Sequence, residues 1–234
     1  MKEILYDGVV KGTPLIKFQN SSIIDRIING SFFMNSLKTF RERYYSCFDE
    51  EIGDPHEGML YVNRGTMIVG EPTIEVTPLK NAVIPTATSN DYVFCMFGIN
   101  PKYYSSFRFS EEQKKKWLEI YDTALVITDS DEFIKRVNNQ AKNQGIELDQ
   151  NFVKYYDAES GDITPWLSSL VNGIESVAYY KRKRYEYQQE FRFTARNRTT
   201  EDHIEINIGS IADIAKTFPL KSFLNAEIQK KSNL

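Results

Sequence analysis

The sequence predicts an α+β protein, and three observations support this fold class. Short apolar runs typical of buried strands, such as 92–97 and 124–128, alternate with short amphipathic helices. The order of these elements follows no regular β-α-β rhythm, which argues against a doubly wound parallel sheet. The 14 Tyr and 15 Phe side chains favour a core built largely on strands.

The composition is that of an ordinary globular protein. The 234 residues fit one domain, 1–234, and 41% of them are hydrophobic while 26% are charged. The polar C-terminal tail, from about 226 to 234, is expected to fray. The N-terminus lacks the apolar stretch of a signal peptide, and the longest apolar run, 92–99, is too short to cross a membrane. With two cysteines and a net charge of -3, we expect a cytoplasmic protein without a membrane partner.

The first helix and strand are predicted between residues 21 and 35. Isoleucines at 23, 24, 27 and 28 form one apolar stripe of a helix over 21–29. Asn20 or Ser21 can cap the start of this helix, and Gly30 suits its left-handed end. A strand over 31–35 follows directly.

Later helices are predicted from capping residues and apolar spacing. Ser110 begins a helix that runs to about residue 120, with acidic residues in its first turn. A second helix, 132–143, has Phe133 and Val137 on its buried side and ends at Gly145. The remaining elements are predicted as a strand at 152–156, a helix at 165–172, strands near 178–195 and 203–208, and a helix at 210–217.

Several classes of active site are disfavoured by the motifs. The only histidines, His56 and His203, have no metal-ligand partner at helical spacing, and no cysteine pair is spaced for zinc, so we predict no metal site. Phosphate-binding glycine loops and a serine nucleophile elbow are missing from the sequence. The acidic loop 49–58 lacks the ligand order of a calcium loop and is interpreted as solvated. With these classes of site disfavoured, the best candidate is a site built from carboxylates and arginines.

The segment 185–193 carries that combination. As a strand, it would place Tyr and Phe side chains on one face and Glu186, Gln188, Glu190 and Arg192 on the other. The spacing Gln188-x-Glu190 resembles the Q-x-E signature of one branch of the ADP-ribosyltransferases. A surface strand with a polar outer face is the alternative, and Arg192 can equally form a structural ion pair with Glu190. The basic run 181–184 that precedes it suits either a solvated face or contacts with phosphates.

A wider resemblance involves three blocks of sequence. The chain resembles a family of bacterial and phage domains of unknown function that is related at fold level to the ADP-ribosyltransferases. The first block contains a lysine-aromatic strand at 16–18, helix 21–29, the segment 30–41 and the Asp-Pro-His-Glu loop within 52–58. The second block is the cysteine-aromatic strand 93–97. The third block is 183–192, which ends in Gln-x-Glu-Phe-Arg.

The resemblance implies a fold, a cofactor and a set of site residues. The fold would be an ADP-ribosyltransferase-like mixed β-sheet core with short flanking helices, and NAD would be the substrate. Glu190 would hold the nicotinamide ribose and Gln188 would orient the acceptor. The motifs that form the nicotinamide pocket in well-studied members are missing, and the nearest equivalents are Asn35, Ser36 and Arg41. The residues expected to bind NAD are Arg41, Arg192, Asn35, Ser36, Phe33 and Tyr187.

Three alternative functions are therefore considered, from the most to the least favoured. The first is transfer of ADP-ribose from NAD to a macromolecular acceptor, a protein or a nucleic acid, as in toxin or phage-conflict systems. The second is a catalytically inactive module of the same fold that inhibits or occludes a partner protein. The third is a nuclease that uses the acidic loop with Lys17 or Lys38. Turnover of NAD separates the first from the second.

Overall fold

The structure is a computed structural model, and it describes residues 13–47, 54–69, 74–99, 106–158, 170, 175–197, 199 and 201–229. Apart from Leu170, the predicted helix 165–172 lies outside the described residues, as do 230–234 of the tail. The helices are α1 (Ser21–Ile28), α2 (Leu37–Cys47), α3 (Glu111–Ile120), α4 (Ser130–Asn143) and α5 (Leu220–Leu224). The strands are β1 (Leu15–Gln19), β2 (Ser31–Ser36), β3 (Leu60–Val69), β4 (Ile74–Ile84), β5 (Tyr92–Gly98), β6 (Ser106–Phe107), β7 (Thr123–Ile127), β8 (Leu148–Phe152), β9 (Lys154–Tyr156), β10 (Tyr180–Arg182), β11 (Glu190–Ala195), β12 (His203–Asn207), β13 (Ala215–Pro219) and β14 (Ile228–Gln229).

An eight-stranded antiparallel sheet forms the centre of the molecule. Its strands run in the order β12-β2-β5-β1-β7-β13, and β11 pairs with β5 and with β8. Three two-stranded sheets accompany it, of which the hairpin β3–β4 is the longest. The α+β class is therefore confirmed, and the predicted strands 31–35, 92–97, 124–128 and 203–208 lie in this one sheet, together with the last part of 178–195. Within the described residues, no helix combines the length and the apolar character that crossing a membrane requires.

The sheet is split beside β5. Strand β11 pairs along β5 from Tyr92 to Phe97, which occupies one edge. Strand β1 pairs only with Phe97 and Gly98, and β2 pairs only with Tyr92 and Val93. Because a strand has two edges, β1 and β2 must share the other edge and diverge from its middle. A gap therefore opens between β1 and β2, opposite the central residues of β5.

The principal core lies between the sheet, α1 and α4. Ile24 and Ile27 of α1 and Phe133 and Val137 of α4 pack against aromatic side chains of the sheet, among them Phe32. Each fully buried side chain of this size contributes about 1.5–3 kcal/mol relative to an exposed one. This packing fixes the positions of the strands that border the gap.

The turn into β2 depends on a glycine. Gly30 has φ +105°, a conformation that L side chains rarely adopt, and an added Cβ would lie 2.7 Å from the carbonyl oxygen of Gly209. This close approach lets β12 lie beside β2 from Ser31 to Asn35. The predicted left-handed end of helix α1 at Gly30 is confirmed.

Other predicted elements are confirmed in type. Ser110 caps α3, and the side chain of Gln113 completes a capping box with it. Asp129 caps α4 and accepts a hydrogen bond from the Glu132 amide. The predicted strand 152–156 is interrupted at Val153, whose amide donates to the Glu190 carbonyl at 2.9 Å. In the tail, Ile228–Gln229 pairs with β6, and the expected fraying of 226–234 stays a prediction.

The predicted continuous strand over 178–195 is wrong in its first part. Residues Val177–Tyr179 and Lys183–Gln188 form 3-10 helices, β10 lies between them, and β11 begins only at Glu190. The second 3-10 helix ends at Gln189, which has φ 42° in the left-handed region. The tyrosine alternation in 185–187 resembles that of a strand, but the chain makes a tight turn here between β10, which pairs with β9, and β11, which pairs with β5 and β8.

The predicted helix 210–217 is also wrong. The chain makes a turn in which the Ile214 amide donates to the Ile211 carbonyl, and residues Ala215–Pro219 then pair with β7 as an edge strand. Ile211 and Ile214 are both buried, and their three-residue spacing resembles a helix stripe. The available edge of β7 offers a full ladder of hydrogen bonds, and this outweighs the local helical pattern.

Candidate functional site

A cleft of about 490 Å³ opens where β1 and β2 diverge. Its lining comes from β1, α1, β2, α2, β5, α3, β10 and β11, together with the turn at 54–57 and Gln188. A volume of this size is within the range of pockets that bind small molecules. The split of the sheet therefore produces a ligand-sized concavity.

The floor of this cleft holds a network of two cations and two carboxylates. Arg192 Nε donates to Glu190 Oε2 at 2.7 Å, and Arg192 Nη1 donates to Glu57 Oε1 at 2.7 Å. Lys181 Nζ lies 2.8 Å from Glu190 Oε1 and 3.2 Å from Glu57 Oε2. All four side chains are at least nine-tenths buried. We call these four residues the buried network.

Strand periodicity explains half of this arrangement. Glu190 and Arg192 are two residues apart on β11, so they share the face that looks into the cleft, while Phe191 and Phe193 pack in the core behind it. The predicted division of these four side chains between two faces is confirmed. The structural ion pair of Arg192 with Glu190, which the sequence left open, is present.

The other half depends on a turn before β3 and on strand β10. Glu57 lies in a turn, and its backbone carbonyl accepts a 2.6 Å hydrogen bond from Arg41 Nη1. Asp54 in the same turn accepts a 2.6 Å bond from Arg182, which follows Lys181 in β10. The Asp-Pro-His-Glu segment and the Glu-Phe-Arg segment, far apart in the chain, therefore meet at one site.

Charge balance keeps the buried network ionised. Burial alone would raise the pKa of Glu190, but the charges of Arg192 and Lys181 and their hydrogen bonds hold that pKa well below its usual range. The same two cations overcome burial at Glu57 and lower its pKa. Burial would lower the pKa of Lys181, but the two carboxylates raise it instead. The network is thus internally neutral at neutral pH.

Gln188 lies close to Glu190, but it is not on the same strand as predicted. It belongs to the 3-10 helix and not to the strand, yet its Oε1 accepts a 2.7 Å bond from Lys181 Nζ. Its Nε2 donates to the Tyr187 hydroxyl at 3.2 Å. Gln188 and Glu190 therefore converge on one ammonium group within the cleft.

Five of the predicted site residues line this cleft. They are Asn35, Phe33, Gln188, Glu190 and Arg192. The ring of Phe33 stacks on the imidazole of His203 with a centroid separation of 4.6 Å. The side-chain oxygen Oδ1 of Asn35 accepts a 3.4 Å hydrogen bond from Arg43 Nη2.

The other three predicted residues lie elsewhere. Arg41 donates to the carbonyls of Glu57 and Ser89 and holds the turn in place. The buried Ser36 hydroxyl accepts a bond from the Thr39 amide at the start of α2. Tyr187 lines a second, shallower concavity beside α3. The structure therefore gives Arg41 and Ser36 local structural contacts in place of contacts with the cleft.

The basic run 181–184 divides between two environments. Lys181 and Arg182 turn inward to the carboxylates, while Lys183 and Arg184 are exposed. The expected solvated face is confirmed only for Lys183 and Arg184, and contacts of this segment with phosphates stay a prediction. Its inward half was missed because the carboxylate partners lie on other elements.

The cleft as a whole carries more positive than negative groups. Its lining contains five cationic and three anionic side chains, which are Lys17, Arg26, Arg43, Lys181, Arg192, Asp54, Glu57 and Glu190. The buried network is balanced, and Asp54 is paired with Arg182. Lys17, Arg26 and Arg43 are the remaining cationic side chains of the lining, and Arg26 also lies 3.6 Å from Glu205 outside the lining. Arg43 and Arg26 were not predicted as site residues, since neither stands in a recognisable motif.

The residues expected of a nuclease are engaged in other contacts. Asp54 and Glu57 of the acidic loop bind Arg182, Arg192 and Lys181, and the remainder of that loop, 49–53, lies outside the described residues. Lys38 is exposed beside Glu42 and Asp202. Among the described residues, no three His, Cys, Asp or Glu side chains are grouped to hold a metal ion.

Comparisons with known proteins give no relative. No family model, no curated protein and no solved structure matches this chain. The arguments about function therefore depend on the cleft itself.

Proposed function

We propose that the cleft binds NAD and that the protein transfers ADP-ribose to a macromolecular acceptor. The observation that carries this proposal is an ionised carboxylate, Glu190, in a ligand-sized cleft whose lining also contains the cationic side chains of Lys17 and Arg43. Cationic groups suit the pyrophosphate of a dinucleotide, and an arginine fork suits phosphate oxygens in particular.

The proposed reaction needs electrostatic stabilisation more than a nucleophile. Breaking the bond between nicotinamide and ribose builds positive charge on the sugar ring, and a fixed carboxylate stabilises that charge. Glu190 would face the ribose, with Gln188 beside it to orient the acceptor. Arg43 replaces Arg41 as the proposed phosphate ligand, because Arg43 lines the cleft. Phe33 would offer an aromatic face to the nicotinamide ring.

One observation favours a second candidate, an inactive binding module. Both carboxylate oxygens of Glu190 already accept bonds from Lys181 and Arg192. These cations offset the negative charge that the reaction would use. A module of this kind would bind a nucleotide in the cleft, or occlude a partner protein, without breaking a bond.

Melting curves with NAD, together with an assay for nicotinamide release, separate these candidates. At about one hundred times the dissociation constant, a ligand of the folded state adds about 2.7 kcal/mol, or about 5–10 °C for a chain of this size. Arg43→Ala should weaken binding about ten- to a hundredfold, since it removes a charged hydrogen-bond donor. Arg108→Ala, at the second concavity, is the matched control.

The outcomes distinguish the two functions. A melting shift with nicotinamide release supports the transferase, and a shift without release supports the binding module. The absence of both at millimolar NAD would refute the NAD proposal. Substitution of Glu190 is a poor first test of catalysis, because it leaves two buried cations with one carboxylate between them.

A further inference from the structure

Lys17 occupies the gap in the sheet. It follows Ile16, the last residue of β1 that pairs with β5. Its Nζ donates to the Cys95 carbonyl at 2.6 Å, in the stretch of β5 that neither β1 nor β2 reaches. The side chain is half-buried and lines the cleft. The amine is therefore held in place at the wall of a ligand-sized cavity.

The surroundings of Lys17 differ from those of an ordinary lysine. Among the described residues, no carboxylate lies within ion-pair distance of its Nζ. The nearest aromatic face is Phe94, whose ring centroid is 4.7 Å from the Nζ. Burial lowers the pKa of Lys17, and the charge of Arg43 on α2 acts in the same direction. Glu190 on β11 and Cys95 on β5 oppose this shift without cancelling it.

The neighbouring thiol and phenol stay uncharged at neutral pH. Burial raises the pKa of Cys95 to about 12 and also raises the pKa of Tyr121 at the end of α3. An amine attacks only in its neutral form, and the lowered pKa of Lys17 favours that form, so Lys17 is the candidate nucleophile in this part of the cleft. Buried lysines of this kind are typical of sites that form Schiff bases.

We propose that Lys17 is a covalent binding site that forms an imine with a phosphorylated aldehyde. The nitrogen lone pair attacks the carbonyl carbon, and the resulting carbinolamine loses the carbonyl oxygen as water together with the two amine hydrogens. No oxidant or reductant is needed. Arg43, which lines the same cleft, supplies positive charge for the phosphate. The inference requires neither NAD binding nor ADP-ribose transfer.

Pyridoxal 5′-phosphate followed by borohydride provides the test. The probe is added below one equivalent near pH 7, the imine is reduced, and the modified lysines are identified by peptide mapping of the wild-type protein. Lys38 is the internal control, because it is exposed and its pKa is raised by Asp202 and Glu42. The pKa of Lys17 is lowered and that of Lys38 is raised, so the neutral fraction is larger at Lys17 and its labelling should exceed that of Lys38 severalfold.

Variants test the site and the phosphate requirement. Lys17→Arg retains a donor for the Cys95 carbonyl and should abolish the cleft adduct without lowering the melting temperature. Pyridoxal without phosphate should label Lys17 about tenfold less, and Arg43→Ala should remove that preference. Equal labelling of Lys17 and Lys38 in the wild-type protein would overturn the inference, whether or not the variants fold. Labelling of Lys17 by both probes alike would overturn the phosphate part.

The result is separable from the proposed NAD function. If Lys17 is labelled and NAD gives neither protection nor a melting shift, the imine site stands and the NAD proposal fails. If NAD binds and Lys17 is not labelled, the imine inference fails and the NAD proposal stands.

Discussion

Two clusters of ion pairs in this protein have similar distances but opposite surroundings. In the buried network, the contacts of Arg192 with Glu190 and Glu57 are 2.7 Å long. On the surface, Arg136 of α4 contacts Asp213 at 2.6 Å and Glu132 at 3.0 Å. The side chain of Arg192 is 2% exposed, whereas that of Asp213 is 59% exposed. Distance alone therefore does not distinguish the two clusters.

The two clusters differ in how well a charge is solvated after its ion-pair partner is removed. At the surface, water solvates whichever charge remains, so an exposed ion pair adds little to stability. On the floor of the cleft the four side chains are at least nine-tenths buried, so water compensates the remaining charge much less and most of its desolvation cost is retained. The buried network thus ties β10, β11 and the turn at 54–57 together as one unit. The surface cluster links α4 to the turn before β13 much more weakly.

The largest expected effect is that of removing Arg192. Arg192→Ala leaves Glu190 and Glu57 with Lys181 as their only cation in the network, and breaking a buried ion pair in this way costs about 3–5 kcal/mol. Urea unfolding should show a correspondingly lower midpoint with a similar slope. Arg136→Ala, the matched surface variant, should unfold with the wild-type midpoint. A wild-type midpoint for Arg192→Ala would mean that water enters the network.

A double-mutant cycle sharpens the comparison. Lys181→Met and Glu190→Gln each unbalance the network, whereas the double variant keeps the neutral pair of Arg192 with Glu57. The double variant should therefore be more stable than the sum of the single effects predicts, with a coupling of about 0.5–3 kcal/mol. Strictly additive effects would show that the four charges do not act together. The same cycle on Arg136 and Asp213 should give no resolvable coupling.

Acid should weaken the buried network. The folded-state pKa values of Glu57 and Glu190 are held below their usual range by Arg192 and Lys181, against the effect of burial. A depressed pKa gives stability that is complete above the unfolded value, about 4.3, and is lost as the pH falls toward the folded value. Unfolding free energy should therefore be level from about pH 7 to 5 and fall below about pH 4.

Variants assign this acid dependence to its source. Glu190→Gln should flatten the fall below about pH 4, because one of the two carboxylates no longer titrates. Asp213→Asn should leave most of the fall in place. Asp91 does not contribute to it, since burial raises its pKa and protonation therefore does not destabilise its folded form. A fall that disappears in Asp213→Asn would assign the acid response to the surface.

The sequence predicted the part of the network that lies within one strand. Glu190 and Arg192 are two residues apart, so the period of a strand places them on one face without knowledge of the fold. Capping residues such as Ser110 likewise located α3, because a cap acts within one turn. Predictions of this kind succeed when the interacting groups are close along the chain.

The partners of these residues were not predictable in the same way. Glu57 is 135 positions from Arg192, and the loop that carries it depends on Arg41, whose carbonyl partners are also distant. The cleft arises because β1 and β2 share one edge of β5, a property of topology rather than of local pattern. Lys17 and Arg43 therefore became recognisable as cleft residues only in three dimensions.

Salt should produce the smallest effect and separate the clusters most directly. Raising the ionic strength from 0.1 M to 1 M shortens the screening length from about 10 Å to about 3 Å, which acts on exposed charges and hardly reaches buried ones. Any destabilisation by Asp213→Asn at low salt should vanish in 1 M NaCl, while that of Arg192→Ala should persist. Melting curves of both variants and the wild-type protein at the two salt concentrations measure this. If salt also removed the effect of Arg192→Ala, the buried network would be accessible to ions, and the contrast between the clusters would depend on geometry and not on exclusion of water.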